Sequence, residues 1–166
     1  MTLRRHGGFA IVTAALIVID LATKAWAVRA LDNGPIELPG PLDLQLSHND
    51  GIAFGLFNRV PAAVLVAAGL LIAVLLVGAW LAGQAPVVPT SMVAAGAVAN
   101  SIDRIESGSV VDLLHLGWWP TFNVADIYIT TGAALLAVLT IWPTPATQAN
   151  HSHDSRTDLL DQSATP

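Results

Sequence analysis

Residues 61–82 read PAAVLVAAGLLIAVLLVGAWLA, a run of Ala, Val, Leu, Ile and Gly that ends at Trp80 and carries no charge. A bilayer's hydrocarbon core is spanned by about 20 such residues in a helix. Three further stretches match this one in length, at 9–31, 87–105 and 122–142, but they carry polar side chains that a plain anchor does not need. The whole chain is 54% hydrophobic and 11% charged, with mean hydropathy +0.61. A soluble domain carries about a quarter charged residues. The pattern predicts an all-α membrane protein with four transmembrane helices, one domain over residues 1–142.

Composition narrows the classes further. Without cysteine there are no disulfides, thiolate metal sites or cysteine nucleophiles. The net charge of -5 and seven scattered basic residues form no nucleic-acid footprint. Arg4, Arg5 and the following apolar run ending at Ala25-Trp26-Ala27 imitate a cleaved leader. Asp20 and Lys24 interrupt that run and three more spans follow, so it is read as a retained first helix. Trp26, Trp80 and Trp142 fall near span ends, and Trp118-Trp119 precede the fourth, the depth at which indole rings favour the headgroup region. Residues 143–166 are mostly Pro, Thr, Gln, Asn, Ser, His and Asp, a disordered tail by composition. His151 and His153 there lack the further ligands on rigid elements that a metal site needs. No metal and no cofactor are expected.

Between spans one and two, residues 34–58 are too long for a simple turn. Leu42, Leu44 and Leu46 alternate with Asp43, Gln45 and Ser47, the period of a strand with one apolar face. Ile36-Glu37-Leu38 followed by Pro39-Gly40 reads as a turn into that strand. The expectation is a small β-sheet cradle on the extracytoplasmic membrane surface, apolar face down.

Four spans put both termini on one side. The polar residues then gather on the other: Asp20 and Lys24 late in span one, Asn49 and Asp50 in the loop, Asn100, Asp103 and Arg104 ending span three, Asp112 after it, Asn123 and Asp126 opening span four. Ionisable residues inside spans are costly and mark function. Arg4 and Arg5 place the termini in the cytoplasm, although Arg29 and Arg59 on the opposite side dilute that signal.

Each group also has a plainer structural explanation. Asp20 and Lys24, four apart on one helix face, are read as a self-satisfied ion pair. Gly96, Asn100, Asp103 and Arg104 share a face. Gly96 permits close helix approach, while Asp103 and Arg104 are equally a structural pair or substrate contacts. Asn123 and Asp126 have the spacing of an N-cap with its capping box, and Asp112 could be a solvated loop acid. Its flanks Val110-Val111 and Leu113-Leu114 form an apolar, strand-like run that argues against this. Two nearby carboxylates in unlike environments supply one acid and one base. His48 and His115 stand isolated.

Five strings in order carry a resemblance: DLATK at 20–24, NDGIAFG at 49–55, GAVANSIDR at 96–104, VVD at 110–112 and FNVAD at 122–126. The chain resembles lipoprotein signal peptidase, signal peptidase II, over about residues 20–141. It departs at Leu21, where the family often has Gln, and at Ala99, where it often has Gly. The resemblance implies an aspartic endopeptidase that cuts diacylglyceryl-modified prolipoproteins before the lipidated cysteine. It implies Asp112 and Asp126 as the catalytic dyad. Asn49, Asn100, Arg104 and Asn123 position substrate, and Asp20, Lys24 and Asp103 are structural. The implied protein is a monomer in the bacterial cytoplasmic membrane, in contact with lipid. The rival reading is a small proton-coupled transporter or relay subunit. Span two carries no polar relay group, and the acids collect at one end instead of marking a path across.

Overall fold

In the computed structural model, which describes residues 2–51 and 60–142, four helices bundle beneath a small sheet. The order is α1 (Thr2–Ala30), β1 (Asp43–Asn49), α2 (Ala62–Leu81), α3 (Val87–Ser107), β2 (Val110–Leu116), β3 (Trp119–Phe122) and α4 (Val124–Ile141). The tail, Arg59 and the Ile52–Gly55 part of the second motif lie outside the described residues.

Local chemistry sets the boundaries. Gly83, at φ 77, closes α2: its N–H reaches the Trp80 carbonyl while Gln84 reaches Ala79, the paired bonds of a Schellman motif. Pro86 precedes α3 and Pro89 falls in its first turn, where the missing N–H has no intrahelical partner to lose. Gly108, at φ 82, ends α3 with its N–H on the Arg104 carbonyl. Asn123 and Asp126 form a reciprocal capping box at the start of α4. This box and the pairing of Phe122 into β3 start α4 two residues later than the hydropathy reading of 122–142.

Three helices are long and apolar enough to cross a bilayer: His6–Ala30 within α1, α2 and α4. The fourth expected span, α3, does not meet that standard, and its position gives the reason. It packs against α1, α2 and α4 and buries twelve of its residues, Ser91, Asn100, Ser101 and Asp103 among them. A helix enclosed by protein need not be apolar all round. The outer helices instead display Ile11, Val18, Val64, Leu71, Val74, Leu75 and Ile141 on the surface, an apolar belt that suits lipid.

The sheet has the order β1-β2-β3, both pairs antiparallel. Sequence reading placed its strands within 34–58. Only β1 comes from there, and the α3–α4 connection supplies β2 and β3 as a hairpin turning through Gly117 at φ 45. The Val110–Leu114 run is a strand because it pairs with β1, with Ser47 opposite Asp112 and Asn49 opposite Val110. Ile36 bridges Leu44 across the turn at Gly40, φ 121. Leu44 and Leu46, joined by Leu113 and Leu114, pack on Ala27 and Leu31 at the end of α1. That contact seats the sheet on the end of the bundle where the polar residues collect.

Candidate active site

Nine of the polar residues singled out above meet at this end in one hydrogen-bonded assembly. Lys24 lies at its centre. Its buried ammonium is ion-paired with Asp20 at 2.7 Å and Asp103 at 2.8 Å, and it donates to the Asn100 side-chain oxygen at 2.8 Å. The Asp20–Lys24 pair is therefore not self-contained. Asp20 also accepts from the Ala125 N–H, in the first turn of α4, at 2.7 Å. Asp103 pairs with Lys24 and not with its neighbour Arg104, and it accepts from the Val111 N–H at 3.3 Å. Through these bonds α1 fixes α4, and α3 fixes β2.

Asn100 donates from Nδ2 to Asp126 Oδ1 at 3.0 Å. Asp126 Oδ2 accepts from the Asn123 backbone N–H at 3.3 Å, and Asn123 Oδ1 accepts the Asp126 N–H at 2.9 Å. The capping box is thus real, and it leaves Asp126 partly exposed. Asn123 has a second task. Its Nδ2 donates to Asp112 Oδ1 at 2.6 Å, so one buried amide ties the two acids together. Asp112 Oδ2 accepts from Asn49 Nδ2 at 3.2 Å, a diagonal contact across the β1–β2 pair. Arg104 donates to the Gly51 carbonyl at 2.6 Å and to the Asn100 carbonyl at 3.4 Å, while its Nε–H has no hydrogen-bond partner among the described residues.

Asp112 and Asp126 both line a cavity of about 750 Å³, with Asn49, Asn100, Arg104 and Asn123. The cavity runs from this polar end down between α2 and α4, past Leu65, Ala68 and Gly69 on one side and Ile129 and Thr130 on the other, with Val93 and Ala97 of α3 beneath. The β2–β3 hairpin from Leu116 to Phe122 forms a further wall, where Trp118 is 84% exposed. Burial, together with the charge of Asp126, pushes the Asp112 carboxyl up to about 6, against the opposing amide donors of Asn123 and Asn49. Among the described residues no three His, Asp or Glu side chains gather as metal ligands.

Sequence reading did not find the Gly51 carbonyl, the Ala125 N–H or the α2 and hairpin walls. Backbone groups and aliphatic side chains carry no chemical signature in a sequence. The aromatic cluster at Trp118-Trp119 was the one available sign of the hairpin wall.

Fold and site together define a helical membrane protein with two carboxylates facing a shared cavity at one end of its bundle. The family model for Signal peptidase (SPase) II matches residues 12–142. A lipoprotein signal peptidase of Syntrophomonas wolfei is 34% identical over 143 residues, covering 84% of this chain and 93% of the relative. One from Rhodococcus jostii is 36% identical over 140 residues, covering 79% and 71%. Two solved bacterial membrane enzymes, both determined by the in meso method, share the fold. One has TM-score 0.75 at 24% identity over 84% of this chain and 91% of the other. The second has TM-score 0.70 at 26% identity over 83% and 95%. The chain belongs to the signal peptidase II family and is an aspartic protease of lipoprotein processing.

Proposed function

We propose that the chain removes the signal peptide from diacylglyceryl-modified prolipoproteins, cutting before the lipidated cysteine with Asp112, Asp126 and a water molecule. The observation that carries this reading is the pair of carboxylates, bridged by Asn123, at the polar end of a cavity that continues between apolar helices. A signal peptide and two acyl chains are apolar, and the cleft between α2 and α4 lets them arrive laterally from the bilayer. The scissile bond then lies at the membrane surface beside the dyad.

In the working form the pair holds one proton, on the Asp112 side, because burial disfavours charge there while Asp126 sits at a helix N-terminus. Asp126 accepts a proton from water as the water oxygen bonds to the carbonyl carbon. Asp112 hydrogen-bonds the carbonyl oxygen as it gains charge. When the C–N bond breaks, a dyad proton passes to the departing cysteine amine, leaving a carboxyl on the signal peptide. Arg104 and Asn49 hold substrate carbonyls, the Nε–H of Arg104, without a hydrogen-bond partner among the described residues, being one such donor. Asn100 and Asn123 also support the dyad, and Asp20, Lys24 and Asp103 fix the helices around it. The domain spans residues 1–142 with four membrane helices, α3 being the enclosed one. Both termini lie in the cytoplasm and the site lies near the extracytoplasmic face. The protein acts as a monomer.

The testing experiment is cleavage by the purified protein in detergent, with products mapped by mass spectrometry. The modified precursor is cut on the amino side of its lipidated cysteine, and the unmodified precursor stays intact over the same period. No cleavage of a competent modified precursor overturns the reading and favours the proton-coupled transporter or relay instead.

The dyad also predicts a pH dependence. Deprotonating Asp112 removes the proton that assists the carbonyl. For the free enzyme, kcat/KM is expected to fall about tenfold per unit as pH rises beyond about 6. Bound substrate excludes water and raises that limb in kcat. A kcat/KM profile flat from pH 5.5 to 8, the range that brackets the Asp112 value, contradicts a protonated Asp112.

A further inference from the structure

We propose that Lys24 is a positioning residue for the reaction: it locks the side-chain amide of Asn100 so that only its NH₂ group can face Asp126. The inference rests on reading Asp126 as a catalytic carboxylate and adds a role to a residue that otherwise only joins helices.

The argument starts from the two ends of one amide. Asn100 Oδ1 accepts from Lys24 Nζ at 2.8 Å, and Asn100 Nδ2 donates to Asp126 Oδ1 at 3.0 Å. An asparagine amide can ordinarily turn end over end and offer either a donor or an acceptor. Here a turn sets NH₂ against an ammonium held in place by ion pairs with Asp20 and Asp103. The Lys24 side of the contact is buried, so bulk water does not screen that clash. The amide is therefore a one-way donor. It matches an ionised Asp126 and mismatches a protonated one, whose O–H finds no acceptor in Asn100.

Without the ammonium the amide follows the proton. It gives NH₂ to the carboxylate and Oδ1 to the carboxylic acid, so the acid form gains a partner. The consequence is a working dyad that takes up its second, inactivating proton at higher pH. The charged groups around Asp126 among the described residues are Lys24 and Asp20 of α1, Asp103 and Arg104 of α3, and Asp112 of β2. The charge of Lys24 itself favours carboxylate in the dyad, so losing that charge and releasing the amide both move the acid limb up. An Asn100→Ala background, which has no amide to release, isolates the part due to charge, and this makes the inference testable.

Lys24→Met alone strands two buried carboxylates and threatens folding. The experiment therefore uses the neutral triple variant Lys24→Met, Asp20→Asn, Asp103→Asn, made both with Asn100 and in the Asn100→Ala background, with Lys24→Arg alongside. Thermal unfolding in detergent shows which variants fold, and kcat is measured against pH on the modified precursor. The expected result is an acid limb that rises about one pH unit more with Asn100 present than in the Asn100→Ala background, the worth of one hydrogen bond between neutral groups. Lys24→Arg, which keeps a cationic donor against Asn100 Oδ1, leaves the limb where the wild type has it. An equal rise with and without Asn100, or no rise at all, overturns the inference while proteolysis stands. If the triple variant does not fold, the double variant Lys24→Met, Asp103→Asn is read against its Asn100→Ala counterpart in the same way, and a raised limb in Lys24→Arg overturns the inference. Full cleavage by Asp126→Asn is a separate result, which removes the dyad reading itself.

Discussion

Asp126→Asn yields a folded protein that cleaves prolipoprotein at least about 10³-fold more slowly than wild type, and Asp112→Asn does the same. The expectation of folding comes from the hydrogen bonds. At position 126 an amide oxygen can still accept the Asn123 N–H, and the Asp126 backbone N–H still reaches Asn123 Oδ1, so α4 keeps its cap. The loss falls on Asn100, whose NH₂ then meets another NH₂ and cannot turn away from Lys24. One such lost bond costs roughly 1–3 kcal/mol. Asp112→Asn has a parallel difficulty. Asn123 cannot turn because its oxygen holds the Asp126 N–H, and Asn49 cannot turn without releasing the Gly51 N–H at 3.0 Å. The new amide satisfies Asn123 or Asn49, not both. Both variants should therefore melt a few degrees lower, and both should be nearly inactive when compared at equal folded fraction. Thermal unfolding and product formation, measured on the same samples, check this. A folded Asp126→Asn protein with near-normal cleavage reduces Asp126 to a helix cap.

The capping box shows why sequence alone left the two explanations of Asp126 open. Spacing three apart at a helix start reports the cap and nothing else. The structure assigns the cap to one carboxylate oxygen and the Asn100 contact to the other. Structural and functional roles coexist because a carboxylate has two oxygens. Three helices were legible because apolar runs of bilayer length have few other uses, while α3 formed as a helix without meeting that standard. The sheet was half legible: alternation marked β1, and Val110–Leu114 looked like a strand, but pairing between segments more than sixty residues apart leaves no local trace. Lys24's partners were illegible for the same reason. Helical spacing identifies Asp20, one turn away, and says nothing of Asn100 and Asp103 on another helix. Ala99 adds a methyl group next to Asn100 where the family often has Gly. It is fully buried, and Asn100 still reaches both Lys24 and Asp126.

Gly96→Ala should lower both stability and activity, and comparison with Gly132→Ala separates the two effects. A Cβ at Gly96 meets the Ala125 carbonyl oxygen at 2.6 Å and Ile129 Cγ1 at 2.7 Å. Ile129 can change rotamer, but the carbonyl belongs to the first turn of α4, whose Ala125 N–H is held by Asp20. Relief requires α3 and α4 to part, at about 1–3 kcal/mol. Gly132 contacts the same helix pair equally closely, at Val93 Cγ2 2.8 Å and the Pro89 carbonyl 2.9 Å, but nearer the opposite end of α3. The two variants should lose comparable stability in thermal unfolding. Their activities should differ. Asn100 lies one turn beyond Gly96 and Asp126 directly follows Ala125, so parting the helices there stretches the 3.0 Å Asn100–Asp126 bond. Misplacement near 1 Å at a catalytic group costs up to about 10²-fold. At equal folded fraction, Gly96→Ala is expected to lose roughly 10–100-fold in kcat, and Gly132→Ala only a few-fold. Equal losses in kcat for the two variants show that the α3–α4 spacing at Gly96 does not govern the dyad. A loss confined to Gly96→Ala shows that helix packing, set by the absence of one methyl group, holds Asn100 within reach of Asp126.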